Sequence, residues 1–262
     1  MLRGLYTGCT GMVNEQNRMD ILTNNLANSS TTGYKREGST SEAFSSVLAY
    51  KIKDTSQIGP NTKNIGSISL GVKIGEGYTD FTQGSLRITE NTFDLALSGE
   101  GFFTVEFTDK NGETSLKYTR DGDFSLTKEG YLTTCDGDYV MGTNENGAQQ
   151  RIQIDPNEET VIHDSGDIFQ NGVLVGKLLI TDFADYNYLE HYGENYYQPV
   201  EGAEIVPASY QVNQGYLEAS NVNVVKEMVE MIAITRAYET NQKIVQAYDE
   251  TLDIAVNQLG KV

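Results

Sequence analysis

The sequence predicts an α+β protein. One helix stands at each end of the chain, the two packed antiparallel as a coiled-coil-like pair, and they flank an all-β antiparallel middle domain. Three observations carry this reading. Apolar residues recur every seven positions at both ends, the spacing of an amphipathic helix with a narrow seam. Between the ends, short β-type runs alternate with turn dipeptides, as in an antiparallel sandwich or barrel. Charge divides in the same places. Residues 1–36 hold four basic and two acidic residues, residues 217–262 hold four and seven, and the stretch between them holds 11 and 28.

In the first element, Leu5, Met12, Met19 and Leu26 form the seven-residue series, widened by Leu2, Cys9 and Leu22. Cys9 reads as a small hydrophobe on or near this seam. The helix should stop near Asn28, because Ser29-Ser30-Thr31-Thr32-Gly33 is turn chemistry. Residues 1–36 are therefore an N-terminal helix and turn. Residues 37–70 show little periodicity and read as an extended linker. Residues 71–216 are the β domain. Its predicted strands cover Val72–Ile74, Phe93–Leu97, Phe102–Phe107, Phe124–Leu126, Tyr131–Thr133, Tyr139–Met141 and Lys177–Phe183. Its hairpin tips fall at Asn111-Gly112, Lys128-Glu129-Gly130, Asp136-Gly137 and Asn171-Gly172.

Residues 217–262 form the C-terminal helix. Val224, Met231, Tyr238, Val245, Leu252 and Leu259 make one series, and Ile234, Tyr248 and Ala255 make a second, interrupted by Asn241. A polar residue in such a seam fixes register at some cost in stability. Asn223 or Ser220 supplies the N-cap. No Gly or Pro falls between Val222 and Leu259. Two helices make a thin core, so the remaining apolar seam calls for neighbouring subunits. Asn24, Asn25, Asn28, Asn221, Asn223 and Asn241 place amides at helix ends and flanks, where they can cap or bond between packed helices.

Chemistry-bearing constellations are scarce. The formal charge of −18 disfavours nucleic acid, whose phosphates need a basic face. No apolar run suits a transmembrane helix or a signal-peptide core. His163-Asp164-Ser165 contains the residue types of a triad, but neighbours in sequence do not converge, and a strand end or turn explains them. His191 has no second ligand at metal spacing. Asp121-Gly122-Asp123 and Asp136-Gly137-Asp138 lack the ligand series of a calcium loop and read as turns. Cys9 and Cys135 are too few and too isolated for a disulfide framework or a zinc site. Tyr186, Tyr188, Tyr192, Tyr196 and Tyr197 could stack on a sugar, but a half-buried strand pair accounts for them. No catalytic residue, cofactor, metal or small-molecule substrate is expected.

Several blocks resemble one family. Asn24-Asn25-Leu26-Ala27-Asn28 with Thr31-Thr32-Gly33-Tyr34-Lys35 is similar to the N-terminal signature of bacterial flagellar rod and hook proteins. Phe81-Thr82-Gln83-Gly84-Ser85-Leu86, Asp94 to Phe103 and Tyr118 to Phe124 resemble the family's middle domain. Gly215 to Asn223 and Met228 to Ala237 resemble its C-terminal signature. The blocks occur in family order and span nearly the whole chain. Length favours the rod-sized members, the distal rod type or its sibling of similar size, over the longer hook proteins and the small proximal rod subunits.

The resemblance implies a motility protein of the flagellar basal body. Such a subunit passes unfolded through the flagellar export apparatus without a cleaved signal peptide. It then polymerises with its own kind and with other rod and hook subunits into a torque-transmitting tube. The terminal helices would form the inner layer and the β domain the outer one. The candidate assembly residues are the two seams, from Leu5 to Leu26 and from Val224 to Leu259, together with the six asparagines and Gly33. The competing reading is a secreted surface protein that binds glycan through its Tyr-rich β domain.

Overall fold

The computed structural model describes residues 2–44, 47–52, 62–69, 71–110, 112–144, 148–193 and 195–259. The chain divides into two compact units. The first comprises residues 1–27, 37–79 and 223–262, and the second comprises 28–36 and 80–222.

The first unit is built on two helices, α1 (Leu2–Ala27) and α2 (Val224–Ile254). The end of α1 falls one residue before Asn28, where the turn chemistry begins. Asn223 caps α2, its Oδ1 accepting the Lys226 N–H, which satisfies one of the orphan donors of a first turn. The regular helix ends at Ile254 rather than near Leu259, and Ala255–Leu259 continues as a wider π-type turn. In the stretch 37–70, read from the sequence as an extended linker, most of the described residues lie in paired strands. Strand Arg36–Ala43 pairs with Val72–Asp80, and Val47–Ile52 pairs with Thr62–Ile68 in antiparallel register. Strands Arg36–Ala43 and Thr62–Ile68 are rich in polar residues and Gly, so the alternation that betrays a half-buried strand is missing from them.

The second unit holds the β core. Its main sheet runs, neighbour to neighbour, through Thr160–Ile162, Asp167–Gln170, Val173–Leu178, Tyr139–Thr143, Phe102–Thr108, Thr114–Thr119, Tyr196–Pro199 and Leu189–Tyr192. Each of these neighbouring strands pairs antiparallel with the next. Strand Phe102–Thr108 is central and covered on both faces, so its first four residues, Phe102 to Val105, are all buried. Phe103 and Val105 enter one cluster with Leu95, Leu97, Phe124, Leu132, Val140, Ile168 and Leu178. Phe102 points the other way, into an aromatic nest with Tyr118, Phe183 and Tyr197, edged by Phe81 and Tyr186. Two short pairs, Tyr210–Gln214 with Leu95–Gly99 and Tyr216–Glu218 with Leu86–Ile88, bring the chain back toward α2. The edge strand Thr160–Ile162 is covered by the Gln214 amide, which donates to Thr160 O and accepts from Ile162 N–H, in place of a neighbouring strand.

Hairpin tips follow the turn dipeptides. Asn171 and Gly172 both have positive φ (50° and 79°) between Asp167–Gln170 and Val173–Leu178, the two-residue turn that matches strand twist. Asn111 lies outside the described residues. Two glycines of this unit should respond oppositely to substitution. Gly172 has open space around its Cβ position, whereas a Cβ at Gly142 would lie 2.6 Å from Lys177 O and 2.7 Å from Ile152 Cγ1. Gly172→Asn, which tolerates the left-handed region, should leave the thermal midpoint within about 2 °C of the parent. Gly142→Ala should lower it by roughly 4–10 °C, read by near-UV circular dichroism.

Candidate functional site

Two constellations stand out, one in each unit: a helix seam and a buried ionic cluster.

In the first unit, α1 and α2 meet in antiparallel register. Gly4 lies against the Tyr248 ring, and a Cβ at Gly8 or Gly11 would come within 2.9 Å of Val245 Cγ2 or Asn241 Nδ2. Farther along, Arg18 Nη2 is 3.3 Å from Glu230 Oε1, and Asn25 Nδ2 is 3.4 Å from Glu227 Oε2. The face of α1 turned to α2 therefore runs through Gly4, Gly8, Gly11, Arg18 and Asn25, with Leu22 buried beside it. The apolar series Leu5, Met12, Met19 and Leu26 is rotated one residue from that line and is half-buried. Sequence reasoning placed the seam on the large apolar residues, whereas the contact is made by notches. Glycine's missing side chain admits the neighbouring helix, and hydrophobicity scales give no weight to that.

On α2 the residues turned inward are those of the two series. Ile234 is buried, while Met231, Tyr238, Asn241, Val245, Tyr248 and Leu252 are half-buried. Glu227 joins them and is fully buried. Val224 is 36 % exposed, off the contact line, and the side chain of Leu259 lies outside the described ones. Cys9 is exposed; it sits one position past Gly8, turned away from α2. Asn24 is exposed, and Asn28 Oδ1 accepts from the Thr31 hydroxyl in the turn. A separate apolar strip remains open on α2: Val225, Met228, Val229 and Ile232 are 71, 48, 62 and 54 % exposed.

In the second unit, four distant segments converge on one carboxylate. Lys35 Nζ is 2.6 Å from Glu218 Oε1, and both side chains are essentially inaccessible. Arg120 Nη1 lies 3.5 Å from Glu218 Oε2. The Gly84 N–H donates to Glu218 Oε1 at 2.8 Å, and Lys35 also donates to Thr82 O at 3.0 Å. Backbone bonds add to this, since the Gly33 N–H donates to Glu218 O. Gly33 has φ +67°, and a Cβ there would run into the backbone of Arg120 and Asp121. No other residue fits that turn without displacing them. Beside it, the Thr32 hydroxyl donates to Asp121 Oδ1 at 2.7 Å, and Asn195 Nδ2 donates to Asp121 Oδ2 at 3.2 Å.

Burial sets the electrostatics. Desolvation pulls Lys35 below the usual lysine range, against the opposing pull of Glu218. Burial pushes Asp121 up, against its hydrogen bond from Thr32. The cluster has two cations to one anion at its centre, so Glu218 is the group the others depend on. Sequence reasoning missed all three charged members. Lys35 and Glu218 are separated by 183 residues, and nothing local in either stretch marks them as partners.

The residue types that suggested chemistry are used structurally. His163-Asp164-Ser165 is a hairpin turn. The His163 ring rests on Phe169 at 4.9 Å, Asp164 accepts from Gln211, and the Ser165 hydroxyl donates to Asp167. Among the described residues no group of three or more His, Cys, Asp or Glu could hold a metal. No described helix is long and apolar enough to cross a membrane. Of the tyrosine tract, Tyr186, Tyr196 and Tyr197 pack inward; Tyr188 and Tyr192 are exposed, and Lys117 Nζ sits over the Tyr192 ring.

Comparison with known proteins finds matches at both ends and in the middle of the chain. Residues 5–35 match a family described as flagella basal body rod protein. Residues 96–170 match the flagellar hook protein FlgE/F/G D1 domain, and residues 213–259 match the flagellar basal body rod FlgEFG protein C-terminal region. A flagellar hook-basal body complex protein FlhO of Bacillus subtilis is 33 % identical over the full length of both chains. A flagellar basal-body rod protein FlgF of Caulobacter vibrioides is 33 % identical over all of both chains. A flagellar basal-body rod protein FlgG of Agrobacterium fabrum is 33 % identical over 98 % of this chain and all of that one.

Two expectations follow. Helix propensity alone says that Gly8→Ala should stabilise α1 by about 1 kcal/mol. The close approach of Val245 says the opposite, and hydrogen exchange across residues 2–14 should become faster in the variant. In the second unit, Glu218→Gln leaves two buried cations without their counter-charge and should cost about 3–5 kcal/mol in urea unfolding. Lys35→Met should cost less, because Arg120 and Gly84 still hold Glu218. Lys35 binds its proton less tightly folded than unfolded, so wild type should gain stability relative to Lys35→Met as pH rises from the lowered value toward 10.5.

Proposed function

The chain belongs to the flagellar basal-body rod and hook protein family, and on that footing we propose that it is a structural subunit of the rod, polymerising into a tube that carries torque from motor to hook. It works by assembly rather than by catalysis, as its family does. The observation that carries the reading is the division of α2 into two faces. One face is occupied by α1, and the other presents Val225, Met228, Val229 and Ile232 to solvent. An apolar strip of this size is costly to leave open on a free chain and is what an interface core needs.

In this reading α1 and α2 form a coiled-coil-like pair in the inner layer of the tube. Neighbouring copies cover the open strip of α2 and the half-buried Leu5, Met12, Met19 and Leu26 flank of α1. The strongly acidic β domain stands at larger radius, where like charges crowd least. The subunit reaches its place through the flagellar export apparatus, without a cleaved signal peptide, and its partners are other rod and hook subunits rather than nucleic acid. Its position is that of the distal rod type or its similar-sized sibling. The glycan-binding alternative is weaker, because the tyrosine tract is mostly committed to packing and offers two exposed rings, one of them under a lysine.

Val229→Asp separates assembly from folding. Val229 is 62 % exposed, so the thermal midpoint of the purified chain should stay within about 2 °C of wild type. In cells the buried, unpaired carboxylate would recur at every subunit contact, and both rod incorporation and swimming should be lost. Gln242→Asp, at an exposed position of the same helix, should swim normally.

A further inference from the structure

The chain passes between its two units four times, at residues 27–28, 36–37, 79–80 and 222–223. Two asparagine side chains hold the backbone at these crossings. In the first unit, Asn25 is fully buried; its Oδ1 accepts the Glu37 N–H at 2.9 Å and its Nδ2 donates to Glu37 O at 2.8 Å. A single side chain thereby reproduces both bonds of a strand neighbour and fastens the third segment of chain to the last turn of α1. In the second unit, Asn221 Oδ1 accepts the Arg36 N–H at 2.7 Å, while Nδ2 donates to Asp80 O at 2.7 Å and to Thr82 O and Oγ1 at 3.1 Å. Asn221 lies two residues before the N-cap of α2.

From these bonds we infer that Asn25 and Asn221 are positioning residues, each fixing from within its own unit the spacing at which the connecting segments leave. Asn221 ties three of the four crossings to one another: its own, that at Arg36 and that at Asp80. Asn25 ties the first crossing to the second. An amide is the side chain the task requires, because it has one acceptor and two donors in a plane; aspartate has only acceptors, and would face Asp80 O and Thr82 O with negative charge. The fixed spacing removes slack from the connectors that load must pass through, a role that rests on the rod reading above.

The test uses the full-length chain with Asn221→Asp and, because Asn25 Nδ2 lies 3.4 Å from the buried Glu227 Oε2, the uncharged Asn25→Leu, made separately. Both lie outside the hydrophobic clusters of the β domain, so its near-UV melt should stay within about 2 °C of wild type. Asn221→Asp keeps the acceptor for the Arg36 N–H but replaces the donations to Asp80 O and Thr82 O with repulsion. That should drive the side chain off its seat, so exchange of the Arg36 amide should accelerate about tenfold. At a pH low enough to protonate the new carboxyl, Asn221→Asp regains one donor, and the exchange difference should shrink. In cells both variants should enter the rod yet swim markedly worse than wild type as medium viscosity rises. Unchanged exchange at Arg36 would overturn the inference, as would swimming under load equal to wild type. A melt lowered together with lost incorporation would also overturn it, by reducing the residues to ordinary fold stability. A deletion strain that swims normally would instead refute the rod reading, and exchange in the purified protein would still decide whether the clamps exist.

Discussion

A lysine and a glutamate that meet without water, from opposite ends of the chain, constrain everything around them. Lys35 follows the turn after α1, and Glu218 precedes the cap of α2. Their ion pair closes nearly the whole β domain into one loop. Burying two charges costs several kcal/mol each unless every lone pair and proton is used. The cluster meets that demand on one side only: Thr82 O and the Gly84 N–H complete Lys35 and Glu218 Oε1, whereas Glu218 Oε2 and Arg120 Nη1, 3.5 Å apart, attract by charge without a hydrogen bond. Those partners lie in the segments Phe81 to Leu86 and Tyr118 to Phe124, which resemble family blocks. The four blocks are thus one physical object: a carboxylate, the cations that neutralise it, and the glycines that let the backbone come close.

Legibility of the sequence varied with the range of the interaction. Local signals were readable. The stop of α1, the Asn223 cap, the Asn171-Gly172 tip and the buried runs from Phe102 onward each follow from a few adjacent residues. The inward face of α2 was readable too, because its knobs are apolar at heptad spacing. The matching face of α1 was not. Its contact positions are glycines and polar residues, and a hydrophobic series one residue away carried the periodic signal. Strands Arg36–Ala43 and Thr62–Ile68 were hidden because neither alternate set of residues is strongly apolar, whereas Val47–Ile52 carries apolar residues at nearly every position and shows no alternation to read. Strand Thr114–Thr119 was hidden because Lys117 and Thr119 hold buried positions that would suggest solvent.

The asymmetry of the helix pair bears on assembly. Where one partner offers notches and the other knobs, the pair can be close and still leave apolar side chains over. On α1 the remainder is the Leu5 to Leu26 flank, and on α2 it is the Val225 to Ile232 strip. A pair that buried all its apolar surface internally would be a better monomer and a poorer building block. The asparagines follow the same economy. Asn25, Asn221 and Asn223 all bond to backbone within their own unit, so the specificity of the fold does not draw on the surface left for neighbours.

The central claim is that this chain is a wall subunit of the rod whose open α2 strip is covered by another copy. Cryo-electron microscopy of isolated basal bodies tests it directly, at a resolution that traces side chains. The account requires the chain in the rod wall, with α1 and α2 paired and Val225, Val229 and Ile232 buried against a neighbouring subunit. Basal bodies that lack the chain, or a rod in which that strip faces solvent, would contradict it.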